Sequence, residues 1–250
     1  VGLIGDTLEG IRLLTEGLQA RMTDKDRTVV NERTNAWTAR HHKGFTNLKE
    51  RIETERGVLP LTPLCFMEAI GRVLPGNVAV VEEAVTTTNT TLERLGYLKD
   101  PTGYFGHRGW GLGWGLGVTL GAQMAWPDRP VLGILGEGAV MYGIQGLWTA
   151  VKYKIPATMV IANNAQYNIL KICAQGMGLP EALKGNYEGM DLVAPEYDLV
   201  QMATAMGMRA VRVETADDLS AAIRESLSLS EPMLIDTPIS RETGNKLNYG

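Results

Sequence analysis

A doubly wound α/β domain, a parallel sheet with helices on both faces, is the fold class that the sequence predicts. Two observations carry that prediction. Short apolar runs at 77–81, 131–135, 157–162, 210–213 and 233–237 read as five strands, and helical apolar patterns alternate with them. Between the second and third runs, Ile144, Leu147, Trp148 and Val151 fall at offsets 0, 3, 4 and 7, one apolar helix face. Strand, helix, strand is a βαβ unit, so those two strands are expected to be parallel neighbours.

The elements follow in chain order. Val1-Gly2-Leu3-Ile4-Gly5-Asp6 reads as a last strand leading into an amphipathic helix over 8–22. Residues 23–58 are rich in charge, with Asp24-Lys25-Asp26-Arg27 and Lys49-Glu50-Arg51, the pattern of a solvated helical linker. Thr62-Pro63 supplies an N-cap and first-turn proline, and Pro75-Gly76 a stop, which predicts a helix over 62–74. Glu82 and Glu83 then end the strand begun at Asn77; one carboxylate is expected to face water. Eight glycines between 103 and 121 predict a loop and then a small-residue helix with Leu116, Leu120 and Met124 on one face. Residues 171–190 read as an irregular, glycine-containing lid. A helix over 198–206 ends at Gly207, and Thr215-Ala216-Asp217-Asp218 opens another with a capping-box pattern.

Composition narrows the function classes. A net charge of −4, a pI near 5.5 and no basic cluster argue against nucleic acid or an anionic membrane as partner. No uncharged apolar run reaches membrane-spanning length. Cys65 and Cys173 lie far apart and form neither a disulfide framework nor a zinc pattern, so a reducing, cytoplasmic setting is expected.

The motif richest in chemistry is Gly136-Glu137-Gly138, followed by 24 residues and then Asn163-Asn164. Each half sits just after a strand candidate, which places a carboxylate and a carboxamide on adjacent strand tips. Open α/β sheets bind ligands in the crevice there. Mg²⁺ takes about six oxygens, one or two of them from side chains and the rest from phosphates and water. Glu137 would supply a charged oxygen, Asn164 a neutral one and the carbonyl of Gln166 a third. The two glycines let the backbone turn and approach an anion closely, and amides at the start of the next helix would attract it.

Glycine, acid, glycine, then paired asparagines at this spacing resembles the cofactor motif of thiamine-diphosphate-dependent enzymes. Leu147-Trp148-Thr149-Ala150 and Tyr153-Lys154-Ile155-Pro156 are most similar to the benzoylformate decarboxylase branch and its acetolactate-synthase-like relatives. The resemblance spans roughly residues 59–240. It implies thiamine diphosphate as cofactor, with a divalent metal held by the side chains of Glu137 and Asn164 and the backbone of Gln166. Gly136, Gly138, Ala139, Tyr167 and Asn168 would line the diphosphate, with Thr86 at a further phosphate contact. Leu112, 25 positions before Glu137, would bend the cofactor into its V shape, and the carbonyl of Trp110 would accept a bond from its aminopyrimidine. Ile169, Leu170 and Cys173 fall where relatives build the substrate pocket. His107 would act as a proton donor or carboxylate-orienting group; a loop histidine bonded to backbone is the other reading. Arg108 would clamp an anion or lie in a surface ion pair.

The implied activity is cleavage or formation of a C–C bond next to a carbonyl, foremost decarboxylation of a 2-oxo acid. Acetolactate-synthase-type or 2-hydroxyacyl lyase carboligation, a non-catalytic cofactor-binding homologue, and a structural βαβ domain with no cofactor stand as alternatives. The family's usual acid at position 137 is Asp, so Glu137 departs from it by one methylene; Ca²⁺ or Mn²⁺ become candidates beside Mg²⁺. No segment resembles the pyrimidine-binding domain, whose glutamate activates the cofactor in relatives. The division expected is a central-domain remnant at 1–22, a linker at 23–58, the diphosphate-binding domain at 59–240 and a tail at 241–250. The chain then reads as the C-terminal portion of a longer protein, with the missing domain supplied by the same or a neighbouring chain in a homodimer or homotetramer. Its small-molecule partner would be a 2-oxo acid or an aldehyde.

Overall fold

A computed structural model describes residues 2, 4–88, 90–106 and 111–242. The chain divides into two compact units, one up to Asn47 and one from Leu48 onward.

The first unit holds α1 (Thr7–Arg21) and most of α2 (Asp24–Glu55). Asp6 caps α1 by accepting from the amide of Glu9 at 2.9 Å, and Arg12 pairs with Glu9 and Glu16 one turn away on either side. α1 buries none of its residues, and Leu8, Ile11, Leu14 and Leu18 stand exposed. No strand precedes it among the described residues 2 and 4–6, whereas 1–6 reads as a strand in the sequence. A strand exists only through ladder partners, and the described residues offer none there; Val1 and Leu3 lie outside the described residues.

The second unit is the α/β domain. It contains α3 (Pro63–Gly71), β1 (Ala79–Glu83), α4 (Thr91–Arg94), β2 (Tyr104–Gly106), α5 (Trp114–Ala125) and β3 (Val131–Gly136). There follow α6 (Glu137–Val140), a 3₁₀ turn over Met141–Gly143, α7 (Gly146–Lys152), β4 (Thr158–Asn163), α8 (Asn168–Gly176) and α9 (Pro180–Leu183). The chain closes with α10 (Leu199–Ala205), β5 (Arg209–Arg212), α11 (Ala216–Ser228) and β6 (Met233–Pro238). All six strands are parallel, in the order β2-β1-β3-β4-β6-β5. The edge strand β2 is additional to the five expected; its three residues include Gly106 and carry no apolar run.

Alternate residues of each central strand feed opposite cores, which is why these strands are apolar throughout. Leu132, Ile134, Val160 and Ile235 pack with Phe66, Ile70 and Ile223 of α3 and α11. Leu135, Met159, Ile161 and Leu234 pack with Leu116, Leu147 and Leu199 of α5, α7 and α10. The sheet is thus wound on both faces, as the strand and helix alternation predicts.

Three local expectations change. The stretch after Gly138 is not one helix but α6, a 3₁₀ turn and α7; Leu147 is buried while Trp148 is 54% exposed. On α5, Leu116 and Leu120 are buried but Met124 is 66% exposed; in the last turn it is Gln123 that is buried, accepting from the amide of Val131 at the start of β3. The expected lid over 171–190 is half helical, the end of α8 and then α9, and irregular in the remainder.

Candidate active site

The chain leaves β1 toward one edge of the sheet and leaves β3 toward the other, so the strand order reverses between them. That is the topological switch point, where loops part and leave a crevice. A cleft occupies it, bordered by Glu83–Thr87 after β1, Gly136–Ala139 after β3, and Asn164 and Gln166–Ile169 after β4, with Leu112 also on its lining.

Glu137 and Asn164 meet at one nitrogen. Glu137 Oε1 and Asn164 Oδ1 both accept from the backbone amide of Gln166, each at 3.1 Å. The parallel pairing of Gly136 with Ala162 sets the two tips level, and the reach of Glu137 spans the gap between strands. The two asparagines divide the work of the turn. Asn163 Oδ1 accepts from the amide of Ala165 at 3.1 Å while its Nδ2 donates to Asp236 at 3.1 Å. These successive side-chain-to-backbone turns hold Ala165 at φ +49°, a left-handed conformation that costs free energy without such support.

Glu137 is 4% exposed, and burial pushes its carboxyl up to about 7. Amides of Gln166, Glu137 and Asn164 oppose that rise, and nearby Asp236 adds to it. Asp236 is itself pushed upward by burial, against the pull of Asn163 and Arg212. Among the described residues no lysine or arginine pairs with Glu137. A carboxylate with no cation, converging with a neutral oxygen, is a donor set that a divalent metal fits. Among the described residues no group of three or more His, Cys, Asp and Glu could hold a metal ion, so a site here would rest on neutral oxygens beside Glu137. Asn168 Oδ1 is buried with no partner, an acceptor left to something outside the chain. Half a turn of its amide presents Nδ2 instead, so the position serves a donor or an acceptor.

The glycines act differently from expectation. Neither Gly136 nor Gly138 has a positive φ. A Cβ on Gly138 would approach the Tyr167 ring to 3.1 Å, so Gly138 makes room for that side chain. The helix starting at Glu137 is only four residues long, which leaves little dipole for an anion.

Thr86, Leu112, Ala139, Tyr167, Asn168 and Ile169 all reach the cleft. Leu112 is 47% exposed and projects from the loop before α5. Leu170 and Cys173 stand exposed on α8 and do not border the cleft, since successive helical residues point about 100° apart. His107, Arg108 and Trp110 lie outside the described residues.

Two features escaped the sequence reading. Neither Glu82 nor Glu83 faces water: Glu82 accepts from Thr88 and Tyr104, and Glu83 accepts from the amides of Gly113 at 2.6 Å and Gly115 at 2.7 Å. Glu83 thereby caps α5 from another element and anchors the residue after Leu112. The second is Lys171, buried on the face of α8 that also carries Asn168 and Ala174. Only its position three residues from each would have marked it.

The family model described as the C-terminal TPP-binding domain of thiamine pyrophosphate enzymes matches residues 84–237. Benzoylformate decarboxylase of Pseudomonas aeruginosa is 33% identical over 179 residues, 72% of this chain and 32% of that protein. An acetolactate synthase large subunit of Parasynechococcus marenigrum is 26% identical over 202 residues, 77% of this chain and 31% of that protein. The crystal structure of benzoylformate decarboxylase from Polynucleobacter necessarius superimposes with a TM-score of 0.66 at 30% identity, covering 75% of this chain and 35% of that one. The chain therefore spans about a third of the length of these relatives. With the motif on two neighbouring strand tips and the family model covering the sheet that carries them, the chain belongs to the thiamine pyrophosphate enzymes and contains their C-terminal TPP-binding domain.

Proposed function

We propose that this chain is the diphosphate-binding part of a 2-oxo acid decarboxylase that uses thiamine diphosphate and Mg²⁺. The convergence of Glu137 Oε1 and Asn164 Oδ1 on one amide, at the switch-point cleft, is the observation that carries this reading. Glu137, Asn164 and the carbonyl of Gln166 would hold the metal, with Ca²⁺ or Mn²⁺ as substitutes that the longer acid tolerates. Gly136, Gly138, Ala139, Tyr167, Asn168 and Thr86 would line the diphosphate. Leu112 would support the ring system from below, with the carbonyl of Trp110 accepting from it.

When bound, the cofactor would supply a carbanion as nucleophile and an electron-deficient ring to accept the electron pair released by C–C bond cleavage. The chain's residues bind and orient. A metal on Glu137 would hold its carboxylate ionised, since a nearby cation favours the charged form. Buried walls on both sides of the cleft keep water from that charge, and Ile169 gives the reacting end an apolar edge. His107 is assigned a proton-donating role. Leu170 and Cys173 would complete the pocket together with a pyrimidine-binding domain of the same or a neighbouring chain, in a homodimer or homotetramer.

Calorimetry on the full-length protein tests this reading. Thiamine diphosphate should bind only with Mg²⁺, and Glu137→Ala should abolish that binding; unchanged affinity in the variant would sink the ligand assignment. Carboligation is the second reading, favoured by the match to acetolactate synthase. Product analysis with 2-oxo acids separates the two, an aldehyde from decarboxylation and a coupled hydroxyketone or acetohydroxy acid from ligation. A cofactor-bound protein that forms neither would be the non-catalytic homologue.

A further inference from the structure

The loop carrying Asn164, Gln166 and Tyr167 is bound along its backbone to a segment distant in sequence. Tyr167 N donates to the carbonyl of Met190 at 2.8 Å, Leu192 N donates to that of Ala165 at 2.9 Å, and Gln166 and Asp191 form an antiparallel bridge. Lys171 lies beside this strip, 4% exposed. Its ammonium donates to Gln166 Oε1 at 2.7 Å and to Asp191 Oδ1 at 2.6 Å, and it rests 5.2 Å from the centre of the Tyr187 ring. The same Asp191 oxygen accepts from Arg241 Nη2 at 2.6 Å, and the Arg241 carbonyl accepts from Gln166 Nε2 at 2.7 Å. The four residues Lys171, Asp191, Arg241 and Gln166 thus form a closed ring of polar contacts.

A buried ammonium is unfavourable unless its donors are met, and a lysine also loses rotamer freedom when fixed. Here the donors are spent on Gln166 and Asp191. Both ends of the Gln166 carboxamide are committed, so the residue cannot turn without breaking the ring. Its backbone amide is the one on which Glu137 Oε1 and Asn164 Oδ1 converge. A rotation at Gln166 would therefore separate those two oxygens and move the carbonyl beside them. The adjoining residue, Ala165, is held left-handed, so the loop has a lower-energy conformation to fall into once released.

We infer that Lys171 is a positioning residue for the cofactor loop, latching Gln166 so that the oxygens of Glu137 and Asn164 are set for a divalent cation before it arrives. This rests on reading that pair as the cation site. Residues supporting ligands from outside the coordination sphere typically change metal affinity by 10–100-fold when removed.

The test uses the full-length protein with thiamine diphosphate at saturation and Mg²⁺ titrated calorimetrically. Lys171→Met should raise the Mg²⁺ dissociation constant by about tenfold, and Lys171→Arg should recover most of that loss. Amide exchange should quicken at 165–168 and 190–192 together in Lys171→Met. A dissociation constant within about twofold of wild type (on the order of 0.4 kcal/mol) would overturn the proposal. So would a loss that Lys171→Arg leaves unrepaired. If Lys171→Met does not fold, Asp191→Asn weakens the same latch from its exposed end; it should raise the constant severalfold, and an unchanged value there also overturns the proposal. Glu137→Ala run in parallel separates the two levels. Normal Mg²⁺-dependent binding in that variant removes the cation site and the latch with it. Lost binding there, beside normal binding in Lys171→Met, removes the latch alone.

Discussion

Glu137 is where residue type and environment conflict most. In water a glutamic acid titrates near 4.5, and burial in this fold pushes the same group up to about 7. The sign of the linkage follows. Between those two values the folded protein holds a proton that the unfolded chain has lost, so metal-free stability falls as pH rises through the window. The full effect is on the order of 3 kcal/mol above pH 7. Urea denaturation of metal-free protein should therefore show lower stability at about pH 7.5 than at about pH 5. Glu137→Gln should remove that part of the slope, and Mg²⁺ should restore stability to wild type at the higher pH. An identical pH slope in wild type and Glu137→Gln would contradict the assignment. Sequence marked the residue through its glycines, yet its protonation was not legible, because desolvation depends on what packs around the carboxyl.

Among the elements, α5 depends most on a remote side chain. Its N-terminus has no cap of its own; Gly113 sits at φ 96°, and the carboxylate of Glu83 takes the amides on either side of Trp114. Hydrogen bonds to a charged group contribute about 1.5–3 kcal/mol each. Glu83→Ala should cost roughly 3 kcal/mol in urea denaturation and displace Leu112; a loss below 1 kcal/mol would refute the capping role. Gly113→Ala should also destabilise, since the new Cβ would lie 2.4 Å from that of Tyr142 in a left-handed conformation. On α7, Leu147→Ala should cost about 2–5 kcal/mol, whereas Trp148→Ala should change the denaturation midpoint little. Periodicity placed both on one face. The expected helix breaks at Met141–Gly143, where Gly143 and Gly146 are the local signs of the break, and within α7 Leu147 is buried while Trp148 is exposed.

Across the whole molecule, burial is distributed unevenly between the two units. α1 buries no residue, and an isolated helix of its length is marginal in water. The central strands β3 and β4 are enclosed on both faces, so their amides should exchange slowest, at the rate of global unfolding, while those of α1 exchange fastest. Equal protection in α1 and β4 by hydrogen-exchange mass spectrometry would contradict this. Among the described residues no helix is long and apolar enough to cross a membrane. The strand and helix alternation, the doubly wound parallel class and the pairing of Glu137 with Asn164 on adjacent tips were legible in the sequence. They follow from apolar periodicity and short-range spacing, which every local segment carries with it. The sixth strand, the burial of Glu82 and Glu83, and the Lys171–Asp191–Arg241 latch were decided only by tertiary structure. The contacts that close the latch through Asp191 and Arg241 join residues 20 to 75 positions apart, and a side chain's partner at that distance is set by how the elements pack, which no window of sequence contains.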